Sequence, residues 1–227
     1  MAGGRHARNR SGTPRGELTR IRKSRERQAE EIHDSILRAM LEVCGEKGFR
    51  QVAVQDVIDR YGGNRVQFYR HFASKAECYA AAYDAWIGQL ADRVLDLAKA
   101  EHGWRPGLRA GLDELARFAE QGPVLARGLL VEVHVAGGPS LRRRAEVGDR
   151  FARAIDSGRR ERGADRTPPP ITAQFMLGAV ESTLTGALIA GEPQAFAAAV
   201  PELAHMVVSA YLGEAAAGED LAAATAA

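Results

Sequence analysis

Apolar residues recur at every third or fourth position along most of this chain, a spacing typical of amphipathic helices. The pattern predicts a first helix that begins near residue 30 and stops at Gly48, and a shorter second helix that ends at Tyr61. The apolar positions of these two helices are Ile32, Ile36, Met40, Val43, Val54, Val57 and Ile58. The sequence contains neither strand-like alternation nor an internal repeat, so we expect an all-α protein.

A glycine turn and a short polar helix follow. Gly62 and Gly63 form the turn, Asn64 is a good N-cap, and the next residues are rich in hydrogen-bonding side chains. Helix, short helix, turn and polar helix is the order of a helix-turn-helix unit. The last helix of such a unit enters the major groove, so Arg65 and Gln67 near its start are placed to contact base edges. The pattern therefore predicts a DNA-binding protein.

The start of the fourth helix supplies a second predicted contact. Ser74 with Glu77 forms a capping box, and Lys75 lies in the first turn, where its charge opposes the helix dipole and would suit a nearby phosphate. Tyr69 and His71 lie on different faces of the third helix, so one of them can face the DNA backbone; ordinary half-buried helix residues are the alternative. The predicted DNA contacts are Gln55, Asn64, Arg65, Val66, Gln67, Tyr69, His71 and Lys75.

Several residues of this segment also form a known signature. They are Gly48-Phe49, Asp56-Val57, Gly62, Phe68-Tyr69-Arg70-His71-Phe72 and Ser74-Lys75. Through these positions, roughly residues 30 to 80 resemble the TetR family of bacterial transcriptional regulators. The resemblance implies an N-terminal three-helix domain with a helix-turn-helix, and a C-terminal helical bundle that contains a ligand pocket and forms a homodimer through its last two helices. Ala53 departs from the family pattern, in which a threonine usually opens the second helix.

Charge is distributed unevenly along the chain. Residues 1–29 contain nine Lys or Arg against two Glu, residues 30–75 are neutral, and residues 76–227 are acidic. We expect residues 1–29 to be a basic, largely disordered arm that follows the DNA backbone or enters the minor groove. A solvated extension that adds only general attraction is the alternative.

The rest of the chain is predicted to be helical. We assign residues 30–75 to the DNA-binding domain, 76–213 to a ligand-sensing and dimerisation domain, and 214–227 to a frayed tail. A long fourth helix should end near Ala100, and the stretch from Val124 to Val135 should form one central buried helix. The prolines at 168–170 break the pattern, with Pro170 placed to begin the next helix.

The last two helices are predicted to mediate assembly. Small residues on the segment Ile171 to Ala190, and the apolar face of the final helix with Leu203, Val207 and Tyr211, would allow a four-helix bundle between two subunits. A second argument for a dimer is that one short recognition helix covers few base pairs. The alternative is that these faces only complete the core of the monomer.

A small-molecule effector is expected among the C-terminal helices, where apolar pockets with a few polar groups commonly form. The candidates combine aromatic or polar side chains with otherwise apolar helices, although ordinary core packing is the alternative for each of them. They are Trp86, Leu90, Phe118, His134, Phe175, Met176, Glu181 and Thr185.

Other classes of function have little support in the sequence. It contains no phosphate-binding glycine loop, nucleophile elbow or metal-ligand spacing, so we predict no enzymatic activity, cofactor or metal. Gln174 and Glu181 within the most apolar segment argue against a membrane span, and no signal peptide is predicted, so we expect a cytoplasmic protein. The main hypothesis is a repressor released from its double-stranded DNA operator by a mostly apolar small molecule. The alternative is a constitutive DNA-binding protein whose C-terminal domain only dimerises.

Overall fold

The structure is a computed structural model that describes residues 14–161 and 168–218. Within those ranges it is helical, without strands. The helices are α1 Pro14–Lys47, α2 Val54–Tyr61, α3 Arg65–His71, α4 Lys75–Ala100, α5 Trp104–Gln121, α6 Pro123–Leu130, α7 Val133–Ala136, α8 Gly138–Asp156, α9 Thr172–Ala190 and α10 Pro193–Leu212, with a 3₁₀ turn at Ser157–Arg160 after α8. The predicted all-α class is therefore confirmed. In the structure, a small N-terminal helical unit packs on a larger helical bundle.

The first helix is longer than expected. It begins at Pro14, so the described part of the predicted arm, residues 14–29, is helical and not disordered. The sequence between Gly16 and Gly45 contains no glycine or proline, and an exposed pair of Arg22 and Glu26, 3.4 Å apart, supports the helix at spacing four. Residues 1–13, the remainder of the predicted arm, lie outside the described residues.

The predicted frayed tail is partly wrong. Residues 214–218 form a further helical stretch in which Ala217 is fully buried. Glu214 accepts a hydrogen bond from the Ser209 hydroxyl at 2.9 Å, and Arg105 donates to the carbonyl of Ala216 at 3.1 Å. These contacts attach the stretch to α10 and α5. Residues 219–227 lie outside the described part of the chain.

The N-terminal unit packs α2 and α3 against α1. Val57 and Phe68 are fully buried beside the α1 residues Ile36 and Met40. At the start of α2, the Asp56 carboxylate accepts the backbone N–H of Ala53 at 2.8 Å, which supplies part of the cap that an alanine side chain cannot provide. Gly62 ends α2 with a φ of 75°, a conformation that favours glycine.

The predicted central buried helix is divided in two. α6 ends at Leu130 and α7 begins at Val133, so Val131 and Glu132 form the junction between them. Both ends of the predicted helix are partly exposed, at Val124 and Val135. The following break also differs from expectation: α9 begins at Thr172, and Pro170 precedes it in a turn.

α9 and α10 leave large apolar side chains in solvent. Ile171, Phe175, Ile189 and Met206 are each about half exposed or more. By length and apolar composition alone, α9 and α10 could also cross a membrane, but core helices of soluble proteins meet the same criterion. An ion pair between Glu181 of α9 and Arg144 of α8 attaches one of them to the bundle.

Candidate DNA-binding surface and ligand cavity

The start of α3 is fixed by reciprocal capping. The Asn64 side chain accepts the backbone N–H of Gln67 at 3.0 Å, and the Gln67 side chain accepts the backbone N–H of Asn64 at 3.1 Å. Tyr61 donates its hydroxyl to the carbonyl of Asn64 at 2.8 Å. Two predicted DNA contacts, Asn64 and Gln67, therefore hold the helix in place with their side-chain oxygens.

The outer face of α3 presents polar and apolar groups together. Arg65 is exposed, and the exposed fractions of Val66 and Tyr69 are 69% and 51%. The Arg65 guanidinium donates to Gln55 at 3.3 Å, and the Gln55 amide donates to Asp59 at 2.8 Å. These bonds align Gln55 of α2 with the face of α3, so four predicted residues share one surface.

Arg70 belongs to the same exposed region but was absent from the predicted set. It follows Val66 by four positions, which places the two side chains on one helix face. This spacing was available in the sequence. Arg70 lies within the aromatic run of the signature, between Tyr69 and His71.

His71 faces α1 and not outwards. It is half-buried, and its ring centroid lies 5.4 Å from that of His33 on α1. Burial lowers the pKa of His71, and the neighbouring His33 and Arg70 lower it further. Of the pair proposed from the sequence, Tyr69 is therefore the residue that the fold exposes.

Lys75, a predicted phosphate contact, binds the loop between α1 and α2 in the structure. Its ammonium donates to the carbonyls of Phe49 and Val52, both at 2.8 Å, and to that of Arg50 at 3.5 Å. It also lies 4.6 Å from the centroid of the Phe49 ring. The sequence suggested a phosphate because the charge opposes the dipole of α4, but the loop between α1 and α2 provides the carbonyl oxygens instead.

The other side of this loop is held by Glu132, from the α6–α7 junction. Glu132 is 7% exposed, and its carboxylate accepts the backbone N–H of Phe49 at 2.8 Å. Burial raises the pKa of the Cys44 thiol to about 12, and the nearby Glu132 carboxylate contributes to the rise. Glu132 was not among the predicted site residues, because sequence spacing does not identify the distant loop that it binds.

α1 and α6 approach each other backbone to backbone. A Cβ atom added to Gly45 would lie 1.9 Å from the carbonyl oxygen of Val124, and one added to Gly128 would lie 1.9 Å from that of Leu41. Side chains cannot fit at such distances, so glycine at both positions permits the crossing. The N-terminal unit is therefore fixed to the bundle by this crossing and by the Glu132 contact.

The bundle forms a partly open cavity of about 1190 Å³, slightly larger than the roughly 300–1,000 Å³ typical of small-molecule sites. α4, α5, α8 and α9 provide most of its wall. It extends along α4 from Tyr83 to Lys99, sixteen positions or about 24 Å at 1.5 Å per residue. Its apolar lining includes Ile87, Leu90, Val94, Leu108, Leu112 and Leu184.

Four of the eight predicted ligand residues line this cavity: Leu90, His134, Glu181 and Thr185. The other four lie elsewhere. Trp86 packs against the main core, Met176 packs in a second cluster with Val207 and Tyr211, and Phe118 is buried near Arg93. Phe175 is 67% exposed on α9. Hydrophobic spacing identifies the apolar helices but does not distinguish a core face from a cavity face or an outer face.

Both ends of the cavity are polar: Lys99 and Glu101 line the end near the last turn of α4, and a second polar group lies at the end near Tyr83. Glu181 of α9 pairs with Arg144 of α8, and the Thr185 hydroxyl donates to the backbone carbonyl of Glu181 at 2.7 Å. Tyr83 of α4 lines the same cavity. Burial raises its pKa, the charge of Arg144 lowers it and that of Glu181 raises it. All three side chains line the same cavity. Tyr83 and Arg144 were not among the predicted ligand residues.

Comparison with known proteins decides the family. Residues 36–82 match the family described as bacterial regulatory proteins, tetR family. This segment, which contains the helix-turn-helix, belongs to the TetR family. It is 28% identical over 91 residues to the HTH-type transcriptional activator FasR of Mycolicibacterium smegmatis, an alignment that covers 40% of this chain and 42% of that protein. The chain thus matches less than half the length of this curated relative.

Solved structures of other regulators share the fold of this TetR-family chain. The fatty acid degradation regulator FadR from Bacillus halodurans superposes with a TM-score of 0.69 at 15% identity, covering 78% of this chain and 94% of that one. FadR from Bacillus subtilis in complex with stearoyl-CoA gives 0.68 at 16% identity, with coverages of 78% and 97%. A gamma-butyrolactone receptor described as ArpA-like gives 0.63 at 17% identity, with coverages of 86% and 99%.

Proposed function

We propose that this TetR-family protein is a homodimeric transcriptional repressor that leaves its operator when a mostly apolar small molecule fills the cavity. The observation that supports this most directly is the position of Glu132. Glu132 contacts the loop between α1 and α2 of the DNA-binding unit, and the residues that follow it, Val133 and His134, line the cavity. The DNA-binding unit and the cavity therefore share one structural segment.

The exposed face of α3 suits base recognition. Arg65 can form a bidentate contact with guanine, Val66 can pack on a thymine methyl group, and Tyr69 can donate to a phosphate. Because the capping bonds occupy the side-chain oxygen of Gln67, its contribution to DNA would come from its amide N–H groups. Gln55 would hold Arg65 in position.

A homodimer would explain the apolar side chains that α9 and α10 leave in solvent. Pairing these helices between two subunits would bury them in a four-helix bundle. It would also bring two copies of α3 to successive major grooves, about 34 Å apart. In this assembly the partner subunit, and not a lipid bilayer, covers the apolar side chains of α9 and α10, as expected for a cytoplasmic protein.

Effector binding would act by shifting the population between two conformations of this dimer. Leu130, Val133 and His134 line the cavity from the α6–α7 segment, while Gly128 and Glu132 of the same segment contact α1 and the loop after it. A ligand that displaces this segment would reorient both α3 helices and spoil their match to the two half-sites. B. subtilis FadR was crystallised with stearoyl-CoA, and another relative in fold is a gamma-butyrolactone receptor; both support an effector with an aliphatic part.

The DNA part of the proposal is tested by selecting duplex DNA that binds the full-length protein. Arg65→Ala should weaken binding to the selected operator by roughly 1–3 kcal/mol and relax base preference at one position per half-site. Arg50→Ala, an exposed cation outside α3, is the matched control and should leave base preference unchanged. An equal loss on every duplex with Arg65→Ala would limit that residue to backbone contact.

The effector part is tested by releasing the selected operator with candidate metabolites. Leu90→Phe narrows the cavity and should reduce release, whereas Trp86→Phe, outside the cavity, should retain it. If no compound that binds the protein releases DNA, the alternative of a constitutive DNA-binding protein is favoured. Expression from a reporter fused to the regulated promoter, measured with and without the protein, then distinguishes repression from the activation in the name of FasR.

A further inference from the structure

Tyr83 is a buried tyrosine on the cavity wall, and its hydroxyl forms no hydrogen bond with another described residue. The residue is 1% exposed and lines the cavity. Its neighbour Tyr79, also buried, donates to the carbonyl of Gly128 at 2.8 Å, but Tyr83 has no such partner among the described residues. Buried tyrosine hydroxyls usually have a hydrogen-bond partner. The free donor at the cavity wall therefore points to an acceptor on the molecule that occupies the cavity.

The charges beside Tyr83 restrict what that acceptor can be. Arg144 is already paired with Glu181, and Arg143, the preceding residue of α8, contacts Asp84 and Glu146. This end of the cavity consequently has no uncompensated cation among the described residues. A carboxylate placed here would approach Glu181 and lose its hydration without gaining a free positive partner. A neutral oxygen avoids both costs.

The remainder of the cavity defines the shape of the occupant. The cavity extends along α4 from Tyr83 towards Lys99, which is about 24 Å at the 1.5 Å rise per residue of an α-helix. Between these ends the α4 lining is Ile87, Leu90, Val94, Leu95 and Ala98. A long, narrow aliphatic group would bury its surface along this wall.

We propose that the effector is an elongated aliphatic molecule with a neutral carbonyl group, such as an ester, amide or ketone, whose oxygen accepts a hydrogen bond from the Tyr83 hydroxyl. Glu181 holds the Arg144 guanidinium so that this end of the cavity remains neutral. The inference rests on the proposed effector site and specifies the chemistry of its ligand.

The test measures binding of three probes of similar chain length to the full-length protein by equilibrium dialysis: methyl decanoate, dodecanoate and dodecane. Methyl decanoate should bind more tightly than dodecanoate or dodecane. Tyr83→Phe should lower the affinity for methyl decanoate roughly twofold to tenfold, the size of one neutral hydrogen bond, and leave the affinity for dodecane unchanged. Tyr79→Phe is the matched control, because its hydroxyl bonds the backbone away from the cavity, and should leave the preference among the probes unchanged.

A second variant tests the role of charge. Glu181→Gln removes the counterion of Arg144 and should raise the affinity for dodecanoate relative to methyl decanoate. Tighter binding of dodecanoate by the unmodified protein, or an ester preference that survives Tyr83→Phe, would overturn the inference. Those results would leave the effector site intact, since a probe still binds. If no probe binds, the ligand class is wrong, and DNA release by other metabolites then decides separately whether the proposed function holds.

Discussion

The Glu132 carboxylate accepts the backbone N–H of Phe49 at 2.8 Å, across 83 positions of sequence. Phe49 lies in the loop between α1 and α2, and its carbonyl accepts the Lys75 ammonium. Glu132 follows the end of α6 and precedes the cavity residue Val133. The loop between α1 and α2 is therefore held from two sides, by the bundle through Glu132 and by the start of α4 through Lys75.

The first prediction concerns this contact. Glu132→Ala leaves the buried N–H of Phe49 without its acceptor, so we expect a loss of about 1–3 kcal/mol in the free energy of unfolding, measured by urea denaturation. Glu132→Gln keeps a carbonyl oxygen at the same position and should retain more of the stability than Glu132→Ala. Equal losses in the two variants would show that charge, and not the bond to Phe49, matters.

The second prediction concerns the crossing of α1 and α6. Gly128→Ala places a Cβ 1.9 Å from the carbonyl oxygen of Leu41, so the helices must separate. We expect a loss of roughly 1–3 kcal/mol in the free energy of unfolding, as for other overpacked sites. Gly148→Ala is the control, because its Cβ would meet the Leu177 side chain at an ordinary 3.7 Å. Gly148→Ala should leave the free energy of unfolding unchanged or raise it, since alanine favours helix. A comparable loss of stability in Gly148→Ala and Gly128→Ala would contradict the close crossing.

The helix-turn-helix could be predicted from sequence because its information is local. Glycine at position 62, the Asn64 cap and the buried Phe68 fix the order and ends of α2 and α3 within a few residues of each other. Such caps and spacings are visible without knowing the rest of the fold. Both the family and the all-α class follow from these features.

The roles of single polar residues were harder to predict, because they depend on distant segments. Lys75 and His71 were expected at DNA, but the loop 23 to 26 positions earlier binds Lys75 and α1 packs on His71. The cavity is another product of tertiary packing: Leu90 faces it while Phe175, equally apolar, faces solvent. Helical spacing alone does not specify which neighbour a face meets.

The third prediction follows from the contacts of Lys75. Lys75→Met removes the donor to the carbonyls of Phe49 and Val52, so it should lower the melting temperature of the protein. It should not alter the slope of log affinity against log salt for operator DNA, because the ammonium is not free for a phosphate. A slope reduced by about 0.9, the contribution of one phosphate contact, would restore the role suggested by the sequence.

The fourth prediction concerns pH. Because burial holds the pKa of folded His71 below its ordinary value of 6.5, the unfolded chain binds the proton more readily. Stability should therefore fall as pH decreases through about 6.5 and level off once pH is below the pKa of the folded state. His33 and Arg70 oppose the protonated ring, and Glu30 and Asp34 line the same recess. Melting temperatures should show a smaller acid loss for His71→Phe than for the unmodified protein, whereas an identical pH dependence would reject His71 as its source.

The central claim is that cavity and DNA surface are coupled, and the most direct measurement is the operator dissociation constant with and without a saturating cavity ligand. Saturation is established beforehand by equilibrium dialysis. A coupling of about 1–3 kcal/mol, the usual range, would raise the dissociation constant roughly 5- to 150-fold, and operator DNA would weaken ligand binding by the same factor. An unchanged dissociation constant in the presence of demonstrably bound ligand would contradict the account.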